Sequence, residues 1–279
     1  MTKTSKYQTV LVTQATGKTG RRVAEAAEQA GLTVRRGSRS APIPFDWADR
    51  STWDAALDGV DAAYLAHYID IGAPGTAEDI AAISAKALEK GVRRLVLLSA
   101  RGEPQADPAE RALRESGADW TIVQAAWFAQ MFSEGDLFEA VQATGELAFP
   151  GGEVVEPFID VRDIADVVVA ALSDDVHIGK AYDVTGSRLL SFRTAVAEIN
   201  AATGREIPYI PVPARAFGEI LVEMGIPEPE AAFLVELFEV MLDGHNAQTT
   251  DGIRQVLGRE PRTFEDFVQE HAAAGTWKA

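Results

Sequence analysis

The chain has no cysteine among its 279 residues. That excludes disulfides, thiolate metal sites and a cysteine nucleophile. Histidine is scarce as well: His67, His177, His245 and His271 are scattered and show no metal-ligand spacing. Positive charge is in deficit, with 26 Lys and Arg against 42 Asp and Glu, a net charge of -16. Such a surface repels phosphate backbones and anionic headgroups, so neither nucleic acid nor a membrane is an expected partner. The acids are spread along the chain rather than gathered in a tail, and their plain role is solubility. No stretch approaches the ~18 apolar residues needed to span a bilayer. The opening MTKTSKYQTV has no apolar signal-peptide core, so a reducing cytoplasm is the expected location. No G-x-S-x-G elbow occurs, which argues against a serine hydrolase.

What is present reads as an ordinary globular protein, 47% hydrophobic and 24% charged. The length suits one large or two small domains. In the first half, short apolar runs alternate with helical patterns. Strands are expected over 9–13, 32–38, 61–68, 93–100 and 119–125. Helices are expected from Lys18 to Gly31, over 51–59 with Ser51 as N-cap, over 76–91 opening at Thr76, and over 108–117. This alternation predicts an α/β fold with a Rossmann-type, doubly wound parallel sheet, its site at the carboxyl ends of the strands. After about residue 125 the rhythm breaks. A dinucleotide-binding domain is expected over 1–150, with 155–186 returning to it, and a small, mostly helical substrate domain over 187–279. Asp163 and Ser191 read as helix N-caps, and Phe132 and Phe138 as core.

The stretch TQATGKTG (13–20) follows the first strand and opens the first helix. A strand, a glycine turn and a helix bring backbone N–H groups and a helix N-terminus to one point, which attracts a pyrophosphate. Thr13, Gln14, Thr16, Gly17, Lys18, Thr19 and Gly20 are the candidate cofactor residues there. Gln14 stands where the motif has its first glycine. The end of the second strand, VRRGSRS, has no acid to hold a ribose 2′-hydroxyl. Arg36 and Arg39 suit a 2′-phosphate instead, which favours NADP over NAD.

The segments TQATGKTGRRV, VRRGSRS, FDWADRSTWDAALDGVDAAYLA, LVLLSARG, ERALRESGADWTIVQAAWFAQMFSE, FIDVRDIADVVVAAL and LGREPRTFEDFVQEHAAAGTW extend over nearly the whole chain. Together they resemble the NmrA-like atypical short-chain dehydrogenase/reductase family, nearest to bacterial relatives of the ergot-alkaloid iminium reductases. The resemblance implies an NADP-binding Rossmann domain with a small C-terminal substrate domain. It also implies Ser38 and Arg39 at the adenosine 2′-phosphate and Asp46 and Trp47 near the adenine. The chain departs from the family at Gln14 and at Gln124-Ala125, where Arg-Pro is common. The Tyr-x-x-x-Lys pair of ordinary short-chain enzymes is absent, and PQADPAE (104–110) has no lysine.

The candidates for chemistry are His67 and Tyr68 as an acid–base pair, and Ser99 as a hydroxyl bonding a substrate carbonyl. Arg101 is a candidate anchor for an anionic substrate, and Gln124, Trp127, Phe128 and Met131 for lining the substrate side. Each has a bland alternative: a capping hydroxyl for Ser99, a solvated His67, a helix-capping Arg101, core aromatics. Three functions fit. The first is an NADPH-dependent reductase of a small aromatic or polycyclic metabolite (carbonyl, quinone or iminium). The second is a non-redox cyclase, isomerase or dehydratase on the same scaffold. The third is an NADP-binding regulatory sensor. The oligomeric state stays open.

Overall fold

The structure is a computed structural model and describes residues 7–278. The run TVLV forms β1 (Thr9–Val12), and α1 (Lys18–Gln29) follows the glycine turn. Then come β2 (Thr33–Arg36), α2 (Trp53–Leu57), β3 (Ala62–Leu65) and α3 (Thr76–Glu89). They are followed by β4 (Arg94–Ala100), α4 (Asp107–Glu115) and β5 (Asp119–Ala125). The middle of the chain holds α5 (Asp136–Thr144), β6 (Leu147–Phe149), β7 (Val155–Glu156), α6 (Val161–Ser173), β8 (Lys180–Val184) and β9 (Leu190–Ser191). The last part holds α7 (Phe192–Thr203), β10 (Tyr209–Pro211), α8 (Ala214–Glu223), α9 (Glu228–Met241), α10 (Gly252–Leu257) and α11 (Phe264–Ala274).

The chain divides into two compact units. The first takes the chain up to Ala125, Val161–Val184 and Asp251–Arg259; the second takes Ala126–Asp160, Thr185–Thr250 and the chain from Glu260. The boundary expected at 150 therefore falls at 125. The reason is where the aromatics find cover: Phe132 and Phe149 bury against Phe158, Phe192 and Phe264 of the second unit. The excursion of 251–259 back to the first unit has no signal in the residue pattern. It is held by a close approach, since a Cβ on Gly252 would lie 2.1 Å from the Asp183 carbonyl oxygen.

The first unit is built on a six-stranded sheet in the order β2-β1-β3-β4-β5-β8. All of its pairings are parallel. Parallel neighbours need crossover connections, which as a rule are right-handed and lay helices over the sheet. Leu11, Leu65, Leu97 and Ile122 alternate onto one face and pack with Trp53, Ile80, Ile83 and Leu113 of the helices over it. Helices α1 and α6 pack together. The direction of winding reverses between β1 and β3, and in such sheets the ligand crevice lies outside the carboxyl ends of the strands at that point.

Two expected caps are corrected. Ser51 does not cap the helix after β2: it lies inside a 3-10 turn, Arg50–Thr52, that Asp49 caps by accepting from the Ser51 N–H, and α2 follows with no side-chain cap. Asp163 is not the N-cap of α6 but lies inside its first turn, fully buried, and accepts from Arg259 at 2.7 Å. The helix takes Val161 and Arg162 as well, because the buried pairing with Arg259 replaces a capping role. Ser191 does cap α7, accepting from the Thr194 N–H. Helix α3 opens at Thr76 as expected, with Gly75 at φ 91° as the residue before it, and the Thr76 hydroxyl donates to the Ile71 and Ala73 carbonyls.

A buried cation anchors the amino-terminal end of β4 in the middle of the sheet. Arg94 is 0% exposed and donates to the carbonyls of Asp119 and Ala171 and to the Thr121 hydroxyl. Replacing it with Met leaves those acceptors without a donor. Arg94→Met is expected to cost about 3 kcal/mol of stability, read as a lower urea midpoint with unchanged slope.

Candidate functional site

The glycine turn answers the question raised by Gln14. Its φ is +50°, so it occupies the left-handed region where the motif has glycine, alone among the non-glycine described residues. The conformation survives the substitution, because strain of about 1–2 kcal/mol is small against the bonds that hold the turn. The Gln14 carbonyl accepts the Gly17 N–H at 2.8 Å, and the Ala15 N–H donates to the Gly37 carbonyl at 3.1 Å. Two glycines mark close approaches that no side chain could share. A Cβ on Gly20 would lie 2.1 Å from the Gln14 carbonyl oxygen, and one on Gly37 would lie 3.0 Å from that of Val12. Helix α1 starts on Gly17 with no side-chain cap and no acid in its first turn. Its N-terminal N–H groups are left to an anion.

A cleft of about 360 Å³ opens beside this turn, lined by Gln14, Thr16, Gly37, Ser38, Arg39, Phe45, Asp46, Trp47, Ala48 and Tyr68. Six expected cofactor residues (Gln14, Thr16, Ser38, Arg39, Asp46 and Trp47) and the expected proton donor Tyr68 meet there. Gly17, Lys18 and Gly20 form the turn and helix start next to it. Two others face inward. Thr13 is 0% exposed, its hydroxyl accepting the Ala66 N–H at 2.8 Å and donating to β3-side carbonyls. It ties β1 to the end of β3 and does not line the cleft. Thr19 is buried beside the Tyr64 phenol, whose pKa is pushed far up by burial. Of the two arginines, Arg36 is committed to Glu28 at 2.9 Å, whereas Arg39 is exposed on the cleft wall. Gly37, Phe45 and Ala48 also line the cleft and are not among the expected residues. The signal was the run PFDW, whose Phe45 ring packs edge-on to Trp47 at 5.2 Å and stacks on Trp53 at 6.2 Å.

The expected acid–base pair separates. Tyr68 is 56% exposed on the cleft, but the His67 side chain is buried, with Nε2 3.3 Å from Asp79. Burial lowers the His67 pKa, and Asp79 offsets only part of that. His67 is thus a neutral packing element, its ring 4.7 Å from Trp47 and 4.8 Å from Tyr68. This corrects both the acid–base role and the solvated alternative.

Other candidates are also placed differently. Ser99, Gln124 and Asp183 share one register row across β4, β5 and β8. They point to the face that α4 covers, where Gln124 donates to both Glu110 oxygens at 2.9 and 3.1 Å. Gln124 is therefore spent on a buried carboxylate and does not line an aromatic wall. The Ser99 hydroxyl is buried without a hydrogen-bond partner. Arg101 is 4% exposed and pairs with Asp183 at 2.8 Å, so it anchors strand ends instead of a substrate anion. In the second unit, Trp127 packs against Phe149, Phe192 and Phe238 at 5.8–6.0 Å, with its indole N–H buried and unpaired. Phe128 bridges to Ile159. Met131 lines an apolar void of about 20 Å³ with Phe132, Phe138 and Trp277, which is packing space too small for a metabolite. No group of three or more acids or histidines that could hold a metal occurs among the described residues.

One buried acid had no signal in the sequence. Glu103, 4% exposed in the loop after β4, has its pKa raised from 4.5 to about 9, first by burial and then by its hydrogen bond to Asp70. The folded protein therefore holds a proton there that the unfolded chain gives up. Its contribution to stability is full below pH 4.5 and is lost progressively as pH rises toward 9.

Three outcomes follow from this geometry. Gln14→Gly is expected to keep or raise stability, by up to about 1 kcal/mol, while Gln14→Val loses about 2 kcal/mol by placing a β-branched residue in the left-handed region. Both are read by chemical denaturation. Gly20→Ala, with its Cβ against backbone, is expected to melt lower and to lose nucleotide binding in calorimetry. Glu103→Gln, the neutral isostere, is expected to stabilise the fold increasingly as pH rises, by about 3 kcal/mol at pH 7, with no gain at pH 4; denaturant midpoints across that range check it.

Comparison with known proteins agrees with this geometry. A family model described as NAD(P)H-binding matches residues 15–175, and that of the NmrA-like family matches 108–268. A (4-alkanoyl-5-oxo-2,5-dihydrofuran-3-yl)methyl phosphate reductase of Streptomyces griseus is 32% identical, over 95% of this chain and 98% of that protein. An agroclavine dehydrogenase of Claviceps fusiformis is 26% identical, over 94% of this chain and 97% of its own. Among solved structures, the NADPH-dependent quinone oxidoreductase of Escherichia coli, complexed with NADPH, shares the fold. Its TM-score is 0.74 at 18% identity, covering 94% of this chain and 99% of that one. The turn, the strand order and these matches lead to one assignment: the chain belongs to the NmrA-like family and carries its NAD(P)H-binding, doubly wound sheet.

Proposed function

We propose that this NADP-dependent oxidoreductase reduces a small aromatic or polycyclic metabolite bearing a carbonyl, quinone or iminium group. The observation that carries the reading is the cleft in which Gln14, Thr16, Ser38, Arg39, Asp46, Trp47 and Tyr68 converge beside the uncapped start of α1. Bound NADPH supplies the hydride. Arg39 and Ser38 bind the 2′-phosphate, the guanidinium by charge-assisted hydrogen bonds. The backbone N–H groups at the start of α1, from Lys18 to Gly20, take the pyrophosphate. Asp46 and Trp47 orient the adenine, Trp47 being held rigid by donating its indole N–H to the Ala66 carbonyl at 2.9 Å. Tyr68 shares the cleft wall with Asp46 and Trp47 and so closes the adenosine half of the cleft. An iminium carbon is already electrophilic and needs little proton donation, which suits a chain without a Tyr-x-x-x-Lys pair. The retained left-handed turn at Gln14 favours this reading over a scaffold that has given up its nucleotide.

Calorimetric titration tests it. Arg39→Ala is expected to weaken NADPH about ten- to a hundredfold, the loss of roughly one to two charge-assisted hydrogen bonds, and to leave NADH nearly unchanged. Arg36→Ala, already paired with Glu28, is expected to change NADPH affinity less than about threefold. NADPH oxidation is then followed with quinone, cyclic iminium and aromatic ketone acceptors, and turnover is expected to be faster on the iminium than on the ketone. Equal affinity of the natural protein and Arg39→Ala for NADPH would remove the basis of the assignment.

A further inference from the structure

Glu103 lies outside the cleft, yet it touches the segment that carries Tyr68. That segment is the loop 66–75 between β3 and α3. Its Gly72 lies directly on the Glu103 carboxyl: a Cβ there would sit 1.9 Å from Oε1 and 2.6 Å from the Gln105 Cβ. Only glycine permits this approach. Two residues earlier, Asp70 accepts the Gly72 N–H at 2.8 Å and hydrogen-bonds the Glu103 carboxyl. Tyr68, on the cleft, is two residues before Asp70. Glu103 Oε1 is buried with no hydrogen-bond partner. A carboxylate in that position would be a desolvated anion facing a second one, and two such groups cannot both ionise cheaply.

We propose that Glu103 is a positioning residue for Tyr68: its carboxyl, bonded to Asp70 and roofed by Gly72, clamps loop 66–75 to the end of β4 while it holds a proton, and frees the loop once the proton is lost. The inference rests on the reading of the Tyr68 cleft as the nucleotide site. The charged groups around Glu103 all act in one direction. Asp70 from the loop and Glu110 from α4 both disfavour its ionisation, and only the Gly72 N–H works against them. The nearest cation along the chain, Arg101, is engaged with Asp183. The raised pKa of about 9 sets where release occurs, well above neutrality, so the clamp is closed under ordinary conditions.

The absence of cysteine gives a clean probe. Ile69→Cys, at a partly exposed loop position, carries a single nitroxide whose spectrum reports loop mobility without any cofactor. The expected result is an immobilised spectrum at pH 7.5 that turns mobile between pH 8.5 and 10 with a midpoint near 9, whereas the same label with Glu103→Gln stays immobilised throughout. Asp70→Asn, which removes the facing charge, is expected to bring the midpoint down by about one unit. In parallel, the NADPH Kd of the unlabelled natural protein is expected to rise about tenfold from pH 8 to 10, and that of Glu103→Gln less than threefold. Identical mobility profiles for Glu103 and Glu103→Gln would overturn the inference, as would an unmoved midpoint in Asp70→Asn. The spin label does not need nucleotide, so this failure is distinct from a failure of NADPH to bind at pH 7.5, which would instead overturn the reading of the cleft.

Discussion

The close approach of α1 to the end of β1 is the constraint on which the rest of the site depends. The helix starts where the chain has barely turned, and Gly20 rides on the Gln14 carbonyl with no room for a methyl group. That contact aims the free N–H groups of the helix into the cleft. It also demands a left-handed residue at position 14, and the chain supplies a glutamine there at φ +50°. The strain is tolerated because both neighbours are tied down: the Gln14 carbonyl by Gly17, and Ala15 by Gly37. Thr13 adds a third tie through its buried hydroxyl. A turn so over-determined keeps its geometry when one local preference is violated.

The polar residues at the strand ends divide by the face they point to, and this division decides their roles. Alternation along a strand sends neighbours to opposite faces. Gln124 and Asp183 fall on the same row as Ser99, and their partners are Glu110 and Arg101, while the Ser99 hydroxyl stays buried without a partner. The two paired side chains are spent on structure, since polar groups at covered strand ends are satisfied by protein partners. The cleft draws instead on loop residues after β1, β2 and β3, where the winding of the sheet reverses. Glu103 is the exception among the buried groups. It is an acid kept neutral by its surroundings, at a cost to stability, in contact with the loop that carries Tyr68.

Much of the fold was legible because it is local. Apolar runs bounded by glycine gave β1, β3, β4 and β5, and the 3.6-residue periodicity gave α1, α3 and α4 within one or two residues at most ends. The nucleotide turn was legible because its glycines serve neighbours within eight residues. The aromatic run after Ala125 was harder. Trp127, Phe132 and Phe149 carry no periodicity that says which partners they bury against, and the boundary shifted accordingly.

The sequence by itself determined the class of the protein. The alternation of strand and helix, the glycine turn and the lack of an acid after β2 are short-range features, and short-range physics suffices to read them. Only the tertiary structure decided which polar side chains are available for chemistry. Arg39 faces the cleft while Arg36 is held by Glu28, Tyr68 is exposed while His67 is buried, and Gln124 and Arg101 are spent on carboxylates. Those outcomes depend on partners 8 to 82 positions away along the chain. No local pattern encodes that distance, and burial against the partner, not residue type, sets each group's charge and reach.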